Sequence, residues 1–180
     1  MKKFTIKANK NKSSKVKYPY IICVDNGRKV PVPSQYKFDS AYVRNHGCSL
    51  VGFYMALRFL GIKKNTAWCE KYLAKHYGLH GHAKYNLKQV SGAINKIVSG
   101  KPAKFYSKIP EKTLREALSR GDMVIFEERN PIHSAVLMWS GEKTIRFSDG
   151  KCKKVTVNQE LSKRCGDAYY GGCVVIKKKG

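Results

Sequence analysis

Apolar residues recur at three- and four-residue intervals between residues 48 and 121, which is the pattern of helices with a buried face. The segment 48–61 carries apolar residues on nearly every face, so we expect this helix to be buried at the centre of the fold. The segments 66–78, 86–98 and 110–121 repeat the pattern and predict three further helices. Asn86 is a suitable N-cap for the third of them.

After residue 121 the pattern changes to short apolar runs separated by turn residues, which is typical of strands. Helices first and strands afterwards indicate an α+β fold with an antiparallel sheet, rather than an alternating parallel sheet. The strands predicted from this pattern are 123–128, 134–140, 143–150, 153–158 and 169–179.

The N-terminal part of the chain differs from the rest in composition. Residues 1–17 contain seven Lys and no acidic residue, so we predict a flexible basic arm there. Residues 18–180 are predicted to form a single domain. Within it, 18–24 predicts a short strand, and 30–45 is interpreted as a loop because it contains two prolines and no sustained period.

The charge of the chain bears on its partners. Lys and Arg total 36 against 12 Asp and Glu, a formal net charge of +24. This indicates either a solvated Lys-rich surface or attraction to polyanions, such as nucleic acid, anionic lipid or acidic polymers. No run of about 18 apolar residues is present, so no transmembrane segment is expected. No apolar run follows the basic start, so we expect a cytoplasmic protein, or a secreted one if a leader precedes this sequence.

Cys48 is the candidate nucleophile among six cysteines. The chain has no C-x-x-C pair, and a reducing compartment without disulfides is the default interpretation. Cys48 begins the predicted central helix, where the positive end of the helix dipole and unpaired N–H groups favour a thiolate. Gly47 allows a substrate to approach the backbone closely. A buried structural cysteine is the alternative interpretation.

His133 and Asp149 are the candidate base and its orienting acid. His133 precedes a predicted strand, and Asp149 ends the next one. In an antiparallel hairpin, the start of the first strand lies near the end of the second, so we expect the two residues to be neighbours. An Asp beside a His fixes the imidazole tautomer and stabilises the imidazolium.

A cysteine on a buried helix, followed by a histidine and an acid on a hairpin, is the layout of papain-like cysteine enzymes. NHGCSLVGFYMALRFLG and NPIHSAVLMWSGEKTIRFSDG resemble the cysteine helix and the His-strand-turn-strand-Asp segment of C39-like peptidases, over residues 35–150. The resemblance implies a papain-like α+β fold, with N-terminal helices and a central Cys-bearing helix packed on an antiparallel sheet. It implies a cysteine peptidase or amide hydrolase with Cys48 as nucleophile, His133 as base and then acid, and Asp149 as orienter, without cofactor or metal.

The resemblance does not define which side chain donates a hydrogen bond to the oxyanion. The family places a Gln about six residues before the cysteine, and this chain has Tyr42 there. The candidates are the Cys48 backbone N–H with the side chain of Asn45, which is nearer in sequence, or of Gln35. The expected substrate is a peptide or protein, and the net charge favours an acidic one. A transferase with the same acyl-enzyme stays open as an alternative, because the sequence defines the nucleophile better than the second acceptor.

Two other functions remain open from the sequence. The first is zinc binding, because four residues supply the donor types that zinc prefers: Cys69, His76, His80 and His82. Their spacing fits no closed site, however, and loop histidines are usually solvated. The second is a basic nucleic-acid- or polyanion-binding module with an inactive papain-like fold, in which the basic arm contacts phosphates. No sequence-reading motif is present, so such binding would be electrostatic.

Overall fold

The helices agree with the sequence pattern to within two residues at each end. The computed structural model of the chain describes residues 5–8, 20–23, 28–35, 44, 47–78, 85–128, 133–139, 144–148, 150–156 and 169–178. Within these, the helices that correspond to the four predicted ones are α1 (Cys48–Phe59), α2 (Thr66–Tyr77), α3 (Leu87–Ile97) and α4 (Glu111–Ser119). The strands are β1 (Thr5–Ala8), β2 (Tyr20–Cys23), β3 (Lys29–Val32), β4 (Ala103–Tyr106), β5 (Met123–Glu128), β6 (His133–Trp139), β7 (Thr144–Ser148), β8 (Lys151–Val155) and β9 (Tyr169–Ile176).

The described strands form two antiparallel sheets, which confirms the α+β class. The small sheet has the order β1-β2-β3, and the large one has the order β4-β9-β5-β6-β7-β8. Strands β5 to β8 pair in sequence order through the antiparallel hairpins β5-β6, β6-β7 and β7-β8. Strand β9 lies between β4 and β5, one strand in from the edge of the sheet.

Helix α1 is central, as predicted. Ten of its twelve residues are buried, so it has no solvent-facing side. It contacts β6 of the large sheet, β3 of the small sheet, and both α2 and α3. Gly52 permits α1 to approach β5 closely, because a Cβ built there would lie 2.9 Å from Cγ2 of Ile125 in β5.

Helix α4 covers the face of the large sheet that is opposite to α1. Leu114, Ala117 and Leu118 of this helix pack in a second apolar cluster, together with Phe126 of β5 and Leu137 of β6. Both faces of the central strands are therefore buried, which explains why the runs in β5 and β6 are almost continuously apolar.

Local capping explains where two helices begin. The side chain of Asn65 accepts a hydrogen bond of 2.8 Å from the N–H of Trp68 at the start of α2. Asn86 and Gln89 form a capping box at the start of α3, which confirms the predicted N-cap. These side chains satisfy N–H groups that have no acceptor within the helix.

Two segments near the N-terminus differ from prediction. Thr5–Ala8 of the predicted arm form β1, because β2 supplies backbone partners and Ile6 packs against the core. The prediction of an unstructured arm is wrong for these four residues, and the rest of the arm lies outside the described residues. The loop prediction for 30–45 is wrong for residues 30–32, which belong to β3. Pro31 is tolerated there because β3 is an edge strand.

Within the described residues, no helix has the length and apolar character needed to cross a membrane.

Candidate active site

A cleft lies where α1 begins, beside the start of β6 and the end of β7. Cys48, His133, Gln35 and Ser148 all line it. The structure therefore brings two of the three predicted catalytic residues, Cys48 and His133, to one site, together with one of the two predicted oxyanion donors. The arrangement follows from topology, since β6 and β7 are antiparallel neighbours and α1 packs against β6.

Cys48 is the first residue of α1 and is largely buried, with 6% of its surface exposed. The N-cap is Gly47, which has no side chain to cap the helix, and no acidic residue lies in the first turn. The backbone of the turn is regular, with Val51 N donating to Gly47 O at 2.9 Å. The positive end of the helix dipole therefore acts at Cys48 without a carboxylate from the first turn to offset it.

His133 is held by a hydroxyl group. Its Nε2 lies 2.8 Å from Oγ of Ser148, the last residue of β7. His133 is half-buried at the start of β6, where it pairs with Glu128 of β5. The contact between Nε2 and Oγ leaves Nδ1 as the ring nitrogen that Ser148 does not engage.

Three residues that the sequence singled out here, Asp149, Asn45 and Tyr42, lie outside the described residues. Gln35 is described and lies in the cleft wall with 6% of its surface exposed. Its Nε2 donates to the carbonyl oxygen of Arg44 at 3.1 Å, which fixes the amide. A glutamine amide carries two N–H bonds, and this hydrogen bond uses one of them.

The remaining wall of the cleft is largely apolar. The apolar residues that line the cleft are Val32, Pro33, Val51, Met55, Val136 and Phe147, together with Ala135, whose side chain belongs to the cluster under α4.

The other described thiols have environments unlike that of Cys48. Burial raises the pKa of the Cys69 thiol from 9.0 to about 12, and burial also raises the pKa of Cys152. Cys173 is buried in the cluster under α4. None of these three lines the cleft. Among the described thiols, Cys48 alone combines a helix N-terminus with the cleft.

The alternative of a metal site rested on Cys69, His76, His80 and His82, of which the structure describes the first two. No group of three His, Cys, Asp or Glu residues in the described part of the chain has the geometry to hold an ion. His76 is exposed and its ring lies 4.4 Å from that of Tyr72. His80 and His82 lie outside the described residues.

Sequence reasoning missed Ser148 and Ser134. Ser148 stands next to the acid on which the sequence argument rests, and Ser134 follows the histidine. The register of the hairpin provides the missing signal: Val136 pairs with Phe147, so Ser148 falls opposite Ala135, diagonal to His133. A shift of one residue would have turned Ser148 to the other face of the sheet.

Comparison of this chain with protein-family models, with curated proteins and with solved structures gives no match.

Proposed function

We propose that this protein is a cysteine peptidase or amide hydrolase with a papain-like fold, similar to C39-like peptidases. The observation that carries the proposal is the shared cleft. Cys48, at the N-terminus of a buried helix, and His133, held by Ser148, both line it. A nucleophile beside a base that is itself oriented by a third group is the arrangement of covalent acyl-transfer enzymes.

In the first half of the proposed reaction, the Cys48 thiol gives its proton to Nδ1 of His133, and the thiolate attacks the carbonyl carbon of the scissile amide. The S–C bond forms, and the C=O π pair moves onto the oxygen. When the tetrahedral intermediate collapses, the C–N bond breaks and the imidazolium protonates the departing amine. A thioester with Cys48 remains.

In the second half, water attacks the thioester while His133 takes one of its protons. The C–S bond breaks, the carboxylic product leaves, and the proton returns to the thiolate of Cys48. An amine or alcohol in place of the water would give a transferase with the same acyl-enzyme. The chemistry of Cys48 and His133 is identical in the two cases.

The oxyanion that forms in the first step requires hydrogen-bond donors. The backbone N–H of Cys48 belongs to the first turn of α1 and is the main-chain candidate for such a donor. Gln35 lines the same cleft, and its amide is fixed by Arg44. We therefore propose Gln35 as the side-chain donor, with Asn45 as the alternative. Such a donor contributes about 3–4 kcal/mol to transition-state stabilisation.

The cleft and its rim favour a particular kind of peptide. The apolar wall favours an apolar side chain on the acyl portion. Strand β8 begins immediately after Gly150, which lines the cleft, and exposes Lys151, Lys153 and Lys154. Together with the net charge of +24, these lysines favour a substrate with acidic residues beyond the scissile bond.

The test is an unbiased cleavage assay, because the substrate is unidentified. A mixture of peptides from digested cellular protein is incubated with the purified chain, and new termini are identified by mass spectrometry. We expect new termini with the wild type and a loss of about 10³-fold or more with Cys48→Ser. Cys152→Ser, which alters a thiol outside the cleft, serves as the matched control and retains activity. New termini that persist in Cys48→Ser would overturn the proposal, as would no cleavage between pH 5 and pH 9.

A further inference from the structure

Ser134 places a buried hydroxyl group in the wall of the cleft. Only 4% of its surface is exposed, and its Oγ has no hydrogen-bond partner among the described residues. It stands in β6 directly after His133, and it lines the same cleft as Cys48. A buried hydroxyl without a partner destabilises a fold, because it has lost its hydrogen bonds to water and gained none in return.

The face on which Ser134 lies is otherwise apolar. Side chains alternate along a strand, so Ser134 shares its face of β6 with Val136 and Met138. Both of these belong to the apolar cluster that contains α1. Alanine would fit this position without the unsatisfied hydroxyl, so packing alone does not account for the serine.

We propose that Ser134 is a substrate-binding residue, whose hydroxyl hydrogen-bonds to a main-chain amide group of the bound peptide. This proposal rests on the proposed peptidase function. A serine hydroxyl both donates and accepts, so it matches either the C=O or the N–H of a peptide. The peptide supplies the missing partner, and the apolar wall holds the neighbouring side chain.

Two other buried hydroxyls show what distinguishes Ser134. Ser49 and Thr144 are also fully buried, and their oxygens also lack partners among the described residues. Neither of them lines the cleft. Thr144 lies at the far end of β7, paired with Trp139, and gives a control that removes a comparable hydroxyl away from the site.

The experiment compares two reagents that both alkylate Cys48. Iodoacetamide, from which the thiolate displaces iodide, presents no peptide chain. Acetyl-Ala-Leu-chloromethyl ketone, from which it displaces chloride, presents two backbone amides and an apolar side chain. We expect Ser134→Ala to leave the iodoacetamide rate within about twofold of wild type and to lower the peptidyl rate about tenfold, the loss of one hydrogen bond. Thr144→Val changes neither rate by more than about twofold.

The melting temperature of Ser134→Ala supplies the second readout. It is expected to equal or exceed that of the wild type, since the variant removes an unsatisfied hydroxyl. A clear decrease would show that the hydroxyl has a structural partner and would overturn the proposal. An unchanged peptidyl rate, in a variant whose Cys48 still reacts with iodoacetamide, would overturn this inference alone. Failure of wild-type Cys48 to react selectively with either reagent would overturn the proposed function as well.

Discussion

The imidazole of His133 is oriented by the hydroxyl of Ser148, with 2.8 Å between Nε2 and Oγ. The first residue of β6 thereby contacts the last residue of β7. A hydroxyl orients the ring, but unlike a carboxylate it can donate or accept, so it does not select the tautomer, and it adds no negative charge. In the proposed mechanism, the imidazolium is therefore stabilised mainly by the thiolate of Cys48, with any further contribution from Asp149 to be measured separately.

Removal of the Ser148 hydroxyl is expected to slow the reaction of Cys48. In Ser148→Ala, the ring of His133 loses the hydrogen bond that orients it, and we expect the rate of Cys48 alkylation at pH 6 to fall about tenfold. Ser119→Ala is the matched control, because it removes a serine hydroxyl that bonds only to the exposed end of α4.

The same assay separates Ser148 from Asp149. Asp149→Asn removes a negative charge and retains a similar shape, so a shift in the acid limb of its pH profile would assign it a role in stabilising the imidazolium. A normal rate in Ser148→Ala, together with a large loss in Asp149→Asn, would contradict the role of Ser148 and leave the acid as the only orienter.

The packing of α1 against β5 is expected to leave no room for a side chain at residue 52. A Cβ there meets Ile125 at 2.9 Å, so Gly52→Ala forces the helix from the sheet and should destabilise the protein by about 1–3 kcal/mol. Gly92→Ala in α3 is the control. Its Cβ meets only the hydroxyl of Tyr77, the far end of a side chain, and alanine favours the helix. Equal melting temperatures for the two variants would contradict this packing.

The ion pair between Arg146 and Glu128 should contribute more to stability than one on the surface. Both of its side chains are about four-fifths buried, and two N–H groups of the guanidinium meet the two carboxylate oxygens. Arg146→Ala is expected to lower the free energy of unfolding by about 1–3 kcal/mol. Arg115→Ala breaks an exposed ion pair with Glu111 and should change the free energy of unfolding by about 0.5 kcal/mol or less. Denaturant unfolding of the two variants tests the difference, and similar losses would contradict it.

The free energy of unfolding is expected to fall at alkaline pH, partly because of Cys69. Burial raises the pKa of its thiol to about 12, whereas the unfolded chain releases this proton near pH 9. The unfolded state thus binds fewer protons above pH 9, and the stabilising contribution is lost as pH rises, by about 1.4 kcal/mol for each unit. We expect the stability difference between wild type and Cys69→Ala to shrink by about 1 kcal/mol from pH 8 to pH 10. A constant difference would contradict the raised pKa.

The helices could be predicted from sequence because each carries its own signal. The apolar spacing in 48–61 and the Asn86 cap are local features, and both correspond to elements of the structure. Strands β1 and β3 gave no such signal. β1 is a short piece of a Lys-rich segment whose backbone partners come from β2, and β3 contains a proline that only an edge position permits.

The site could be predicted in part for the same reason. A cysteine at a helix start and a histidine at a strand start are visible in the sequence, and topology brings them to one cleft. The choice of Ser148 as the partner of His133 depends on the register of β6 and β7 to a single residue. The place of Gln35 depends on how the chain returns from β3. Neither is encoded in a local pattern.

Selective alkylation of Cys48 tests the central claim most directly. Native protein is treated with iodoacetamide at pH 6, and the modification of each cysteine is followed by mass spectrometry of tryptic peptides. The account predicts that Cys48 reacts at least about tenfold faster than Cys69, Cys152 and Cys173, and that His133→Ala abolishes this advantage. Slow and equal modification of these cysteines, or a rate at Cys48 that is unchanged by His133→Ala, would contradict it.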